Sequence, residues 1–217
     1  MTPCLGWEAA LTREIALTFD DSPAEDSRLS TSEQRSRELI GKLEKLHIPP
    51  VLIFANACKR SDSVLRQLQL HSSAGHLIGN HTCTHPSLDQ VGFVRYAADA
   101  AQGDTLLEPL LARQPGERFF RFSFLNEGEE VKVRDSMRQW LTAYHYRNGL
   151  VSVDDDDYLF SSKINQARKR GRKIDYSKVK SLFIRHVTGA VEFYDALANH
   201  RSTRARKDRC QIRVRSV

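Results

Sequence analysis

Two histidines four residues apart, His81 and His85, stand in the stretch Gly79-Asn80-His81-Thr82-Cys83-Thr84-His85-Pro86, where a glycine, an asparagine and a proline fix a loop. Imidazoles at that spacing can face one point, and a metal ion is the commonest reason to put them there. Two nitrogens do not complete a site, so a third ligand must come from elsewhere in the chain. The best candidate is Asp20-Asp21, which closes the apolar run Ile15-Ala16-Leu17-Thr18-Phe19. Such a run reads as a buried strand, and its C-terminal end is where α/β folds place their chemistry. Adjacent strand-end residues point opposite ways, so one carboxylate can ligate while its neighbour works on water. An Asp-Asp pair by itself is more often a cap or a turn, but Thr-Phe-Asp-Asp-Ser-Pro behind a strand is far rarer than the dipeptide.

The elements that must carry these residues follow from periodicity. A helix with Leu39, Ile40, Leu43 and Leu46 on one stripe ends at Ile48-Pro49-Pro50; Val51 to Ala55 reads as a second buried strand, and a helix follows around Val64 to Leu70. A third strand, His76 to Gly79, delivers the two histidines to its C-terminal loop. Leu88 to Leu111 has a helical pattern that Pro115-Gly116 breaks. Phe119 to Phe124 reads as a fourth strand, Glu129 to Tyr146 as a helix, and Gly149 to Val153 as a fifth strand running into four aspartates. The last element, Ser177 to Leu197, places Val179, Leu182, Phe183, His186, Val187, Ala190, Tyr194 and Leu197 on one stripe of an amphipathic helix. Strands alternating with helices imply a parallel sheet, closed as a barrel or open.

Composition narrows the classes. A chain of 217 residues with 40% hydrophobic content suits one domain with a real core. No apolar stretch approaches the roughly 18 residues of a spanning helix, so no membrane partner is expected. The net charge of +6 lies wholly in residues 200–217, where seven basic side chains oppose Asp208, leaving residues 1–199 neutral. The basic character belongs to that tail, and a nucleic-acid partner is not expected of the domain. Cys4, Cys58, Cys83 and Cys210 form no CxxC pair or compact framework and read as bystanders. No signal peptide is visible, which reads as cytoplasmic for the chain as it stands. No oligomeric state is read from the sequence.

The chain resembles the polysaccharide deacetylases, carbohydrate esterase family 4. Thr18-Phe19-Asp20-Asp21-Ser22-Pro23 resembles the first motif of that family, T-F-D-D-G-P, and Gly79 to His85 resembles the second. Phe119 to Phe124 is similar to the third, in which an arginine is followed two residues on by a proline. Val151 to Tyr158 is similar to the fourth, which usually ends in Asp-Trp. The resemblance covers roughly residues 14–199 and implies an α/β fold, a distorted (β/α) barrel incomplete at its C-terminus. It divides the chain into an extension at 1–13, the deacetylase-like domain at 14–199, and a basic, disordered tail at 200–217. It implies one divalent metal, usually zinc, held by Asp21, His81 and His85. Asp20 would be the general base for the attacking water, and Arg121 its orienting salt-bridge partner. A backbone N–H near Phe124 would hold the oxyanion, with Tyr158 as an aromatic wall of the acetyl pocket. The implied substrate is an acetylated polysaccharide, peptidoglycan or a chitin-like chain, and the family works mostly outside the cytoplasm.

Four departures bear on activity. Ser22 replaces a glycine, Ser123 the proline of the third motif, and Tyr158 a tryptophan. The fourth is larger: the family continues after the long helix into a strand carrying Leu-His, whose histidine protonates the leaving amine and is oriented by the residue matching Asp157. Here the sequence turns arginine-rich from His200, as a truncated or frameshifted C-terminus would, and His186 reads as a core or cap histidine rather than a substitute. The expectation is an impaired deacetylase, with a catalytically inactive carbohydrate-binding remnant as the alternative.

Overall fold

The computed structural model describes residues 14–27, 30–58 and 63–202; the expectations for residues 1–13 and for most of the basic tail lie outside them. The first apolar run enters the sheet three residues later than its hydrophobicity suggests. Strand β1 (Thr18–Ser22) pairs in parallel with β2 (Leu52–Ala55) through Thr18 with Leu52 and Phe19 with Ile53, then slips so that Ser22 meets Ala55. One extra residue on β1 makes this a bulge at Asp20-Asp21, with Asp21 in the left-handed region at φ 60°. The carboxylates therefore lie inside the strand, and the bulge re-aims them. Ser22 is not among the described residues of positive φ, so serine stands there without left-handed strain.

The chain then winds helix and strand in turn: α1 (Ser32–Lys45), β2, α2 (Ser63–Ser73), β3 (Leu77–Asn80), α3 (Leu88–Leu111), β4 (Arg118–Phe120), α4 (Val131–Ala143) and β5 (Tyr146–Asn148). All strands are parallel in the order β1-β2-β3-β4-β5, the sequential order of a barrel wall. Among the described residues no ladder joins β5 to β1. Helix α1 starts on a capping box in which Thr31 and Gln34 each satisfy the other's backbone N–H. The apolar layer beneath the helices is built from Ile53, Leu68, Ile78, Leu107, Phe120 and Met137, each fully or almost fully buried.

Several expectations are corrected. The fourth strand stops at Phe120, not Phe124, because Phe124 and Leu125 have φ of 57° and 58°, which no strand can accommodate. The fifth strand is Tyr146–Asn148 rather than Gly149 to Val153: the preceding helix ends at Ala143, His145 turns the chain at φ 57°, and Leu150 is left exposed. A helix that was not expected, α5 (Asp157–Lys169), follows the aspartate run; its polar sequence buries only Asp157 and so has no strong apolar period. Helix α6 (Tyr176–Ser202) confirms the long final helix, but Leu182, Tyr194 and Leu197 of its expected stripe are exposed. It leans on α5 through the edge-to-face pair Phe160–Phe183, with ring centroids 5.1 Å apart. His186 sits neither in the core nor at a cap. It is half-buried with Nε2 3.6 Å from Asp156 Oδ2.

In the last turn of α2, His71 is a core histidine with its Nδ1 buried and lacking a hydrogen-bond partner. Burial, and then the neighbouring His76, push its pKa down to about 4. The folded state therefore takes up this proton later than the unfolded chain, whose histidine titrates near 6.5. Stability from His71 is fully present above about pH 6.5 and is lost as pH falls toward 4, by up to roughly 3 kcal/mol. Urea unfolding at pH 7 and pH 5 should show this loss in the wild type and a smaller one in His71→Leu; equal losses in both proteins would count against it.

Candidate metal centre and its carboxylate

The histidine loop is fixed by buried polar side chains at the strand ends. Asn80, fully buried, accepts from the Thr82 N–H at 2.8 Å and donates to the Ala100 carbonyl at 2.9 Å. Asn56, which follows β2, donates to the His81 carbonyl at 2.6 Å, and its own N–H reaches the Ser22 carbonyl at 3.0 Å. Asp99 of α3 gathers the Cys83 and Thr84 N–H groups at 2.7 and 3.0 Å. The helix comes this close because residue 103 is glycine: a Cβ there would stand 3.0 Å from Asn80 Oδ1 and 3.2 Å from the Thr82 carbonyl carbon. Cys83 is joined to Cys58 in a disulfide across the β2 and β3 loops. Those two cysteines are thus not bystanders, and the sulfur between the histidines is committed to a bond rather than to a ligand role. Their spacing of 25 residues gave no sign of it.

Asp21, His81 and His85 come together, each offering a ligand atom within 4.8 Å of the others. Asp21 Oδ1 lies 3.4 Å from His85 Nε2 and 3.8 Å from His81 Nε2. His81 Nδ1 is 2.8 Å from the Arg121 carbonyl. A carbonyl only accepts, so Nδ1 carries the proton and Nε2 is left with its lone pair. That Nε2 is buried with no hydrogen-bond partner, and it faces two carboxylates, Asp20 Oδ2 standing 3.4 Å away. Lone pairs and anionic oxygens converging on one point call for a cation. The Asp-His-His donor set is one that can hold a divalent metal.

Asp20 is held separately. Its Oδ1 accepts from Arg121 Nη1 at 2.5 Å, and both side chains are almost wholly out of solvent. Arg121 also donates to Thr18 Oγ1 and to the Gly149 carbonyl, both at 2.8 Å. One guanidinium thus reaches from the end of β4 to β1 and to the residue after β5, linking the two sides of the sheet. Its carbon rests 3.9 Å above the Phe54 ring. Phe54 needs glycine on both flanks, since a Cβ on Gly79 or Gly149 would come within 2.6 or 2.4 Å of the ring.

Phe124 follows Arg121 on a short 3₁₀ turn (Ser123–Leu125) and sets its ring edge-on to His85, with centroids 4.5 Å apart. The Ser123, Leu125 and Asn126 N–H groups are bonded to Tyr96 Oη and to the Phe122 and Ser123 carbonyls. The Phe124 N–H is in none of these bonds. Asp157 and Tyr158 open α5; Asp157 is buried with its N–H 3.3 Å from Asp155 Oδ1, and Tyr158 is half-exposed. The structure therefore assembles Asp20, Asp21, His81, His85, Arg121 and Phe124. Asn56, Tyr96 and Asp99 were missed by sequence reasoning. Asn56 carried the one usable signal, a polar residue closing an apolar strand, as Asp20 does.

The family model for polysaccharide deacetylase matches residues 9–140. The peptidoglycan-N-acetylglucosamine deacetylase of Bacillus cereus is 24% identical over 146 residues, which are 67% of this chain and 46% of that protein, so the chain spans about half the length of this curated relative. The polysaccharide deacetylase Bc1974 from Bacillus cereus shares the fold, with a TM-score of 0.61, 16% identity, and 94% of this chain and 79% of that one covered. A mutant of BA3943, a family 4 pseudoenzyme with restored enzymatic activity, also shares it, with a TM-score of 0.59, 14% identity, and 95% and 58% covered. Matched by the family model over more than half its length and sharing this α/β fold, the chain belongs to the polysaccharide deacetylase family.

Proposed function

We propose that this chain carries the hydrolytic centre of a metal-dependent deacetylase that removes N-acetyl groups, or as a second substrate class O-acetyl groups, from an amino-sugar polymer such as peptidoglycan or a chitin-like chain. The observation that carries the reading is the convergence of Asp21, His81 and His85 with Asp20 Oδ2 standing 3.4 Å from His81 Nε2. A likeness of fold does not decide activity, since the fold is shared with a pseudoenzyme.

Asp21, His81 and His85 would hold the divalent cation, which supplies Lewis-acid polarisation of the acetyl carbonyl and a water of lowered pKa. Asp20 takes the proton of the attacking water at Oδ2, while Arg121 pins Oδ1 and so aims the carboxylate. The Phe124 N–H donates to the oxygen that gains charge as the carbonyl is attacked. The C–N bond then breaks as the nitrogen takes up a proton from water, giving acetate and a free amine. In this reading Tyr158 is an aromatic wall of the acetyl pocket, and Asp157 occupies the position of the carboxylate that in the family orients the leaving-group histidine.

Compartment follows from the sulfur chemistry. A disulfide between Cys58 and Cys83 supports an oxidising environment, in keeping with a polymer outside the cytoplasm. No helix among the described residues is long and apolar enough to cross a membrane.

The test is metal analysis of the purified protein beside acetate release from an acetylated chitooligosaccharide. The wild type should hold about one zinc per chain, and His81→Ala should lose it together with activity, because three protein ligands are the minimum of a catalytic zinc site. Zinc content unaffected by His81→Ala would remove the metal reading. Zinc retained by a wild type that releases no acetate would leave an inactive carbohydrate-binding protein.

A further inference from the structure

The two segments that face each other across the site are unusually rich in left-handed backbone. Thr82 and His85 on the histidine loop have φ of 68° and 61°, and Phe124 and Leu125 on the facing turn have 57° and 58°. None is glycine, and a β-branched threonine in that region is a steric outlier. Such conformations persist only where their surroundings over-determine them.

One chain of hydrogen bonds does so, and it runs from the turn to the loop. Tyr96 is fully buried in α3, and its Oη accepts from the Ser123 N–H at 2.9 Å and lies 3.4 Å from Ser123 Oγ. Ser123 Oγ is 3.3 Å from Thr82 Oγ1, which in turn accepts from the His85 N–H at 3.1 Å. Thr82 is anchored at its other end by its own N–H on Asn80 Oδ1. Both hydroxyl side chains are fully buried. Burial raises the Tyr96 pKa to about 12, so it stays a phenol. A proline at position 123, as in the family's third motif, would offer neither the N–H nor the hydroxyl. This chain holds the turn by hydrogen bonds where a ring would hold it by its fixed φ.

We propose that Tyr96, Ser123 and Thr82 are positioning residues: a single buried strut that fixes the Phe124 N–H and the Phe124 ring against His85. It deepens the hydrolase reading of the same centre and rests on it. Because the strut touches no ligand atom, cutting it should leave a metal bound but in a distorted site, with the donor and the metal ligands out of register. A displacement of about 1 Å between such groups can cost up to two orders of magnitude in rate.

The experiment compares Tyr96→Phe, Ser123→Ala, their double variant and Ser123→Thr in the full chain, with cobalt(II) as the metal probe. Each single cut should lower kcat about tenfold with little change in KM, the loss expected of a mispositioned transition-state donor. It should also shift the cobalt absorption bands, although neither residue is a ligand. The double variant should be little worse than either single one, since both cut the same strut, and Ser123→Thr should restore spectrum and rate. In metal-free protein the Phe124 amide and His85 ring resonances should move in both single variants, and Ser123→Thr should return them. Unmoved resonances and an unmoved cobalt spectrum would overturn the strut. Failure of the wild type to bind cobalt would sink the metal reading instead, and the metal-free resonances would still judge the strut on its own.

Discussion

Arg121→Met is expected to destabilise the protein by about 3–5 kcal/mol and to abolish acetate release, the largest stability loss of any single substitution at this centre. The pair Arg121–Asp20 is almost completely out of water, with 2% and 0% of the side chains exposed. Removing the guanidinium leaves the Asp20 carboxyl facing His81 and Asp21 with its charge partner gone. It also strips the Gly149 carbonyl and Thr18 Oγ1 of their donor, and a buried acceptor left unsatisfied costs about 1–3 kcal/mol. Methionine keeps a comparable apolar stem over Phe54, so the loss reports polar contacts more than packing. The decisive comparison is Asp20→Asn/Arg121→Met. With the charge removed from both sides, urea unfolding should recover most of the lost stability, while activity should stay absent because the base is gone. A double variant no more stable than Arg121→Met would show that the Gly149 and Thr18 contacts, rather than the ion pair, dominate the arginine's contribution.

How legible this centre was depends on what kind of information each part needs. The cluster of Asp21, His81 and His85 was readable because its chemistry is local: an imidazole pair at a fixed spacing, and carboxylates at the end of an apolar run. The strand-helix alternation was readable because buried parallel strands are continuous apolar runs. What was lost were features set by distant partners. Phe119 to Phe124 carries four phenylalanines, yet the strand ends at Phe120: Arg121 still donates its N–H to the Asn80 carbonyl of β3, but Ser123 is bonded to Tyr96 and Thr82 and Phe124 turns at φ 57°. Gly149 to Val153 has β-branched residues, but the ladder partners of β4 are Tyr146 to Asn148. The disulfide needed two loops to be neighbours in space. Helix α6 shows the opposite error: the described residues do not cover its expected stripe fully, since Leu182 is 51% and Tyr194 38% exposed. A periodic pattern tells which face seeks burial, not what buries it.

The division of labour between the two aspartates is the sharpest claim about the centre, and distances alone do not make it. Asp20 Oδ2 lies nearer His81 Nε2, at 3.4 Å, than Asp21 Oδ1 does, at 3.8 Å. Proximity to one histidine would favour Asp20 as the ligand. Two facts point the other way. Asp21 Oδ1 stands within reach of both histidines, 3.4 Å from His85 as well, whereas Asp20 has its other oxygen committed to Arg121. The bulge also gives Asp21 a left-handed backbone that turns it out of the strand's alternation, so the neighbours need not share a role. Asp20→Asn keeps an oxygen for Arg121 and the side-chain volume but cannot take a proton. It should therefore lower kcat by about 10² to 10⁴-fold, the usual range for a lost general base, while zinc stoichiometry stays at the wild-type value. Asp21→Asn should do the reverse first, releasing zinc at dilutions where Asp20→Asn retains it, because a ligand carboxylate supplies charge that an amide does not. Zinc lost from Asp20→Asn and kept by Asp21→Asn would exchange the two assignments, and equal acetate release by wild type and Asp20→Asn would show that no proton passes through Asp20 at all.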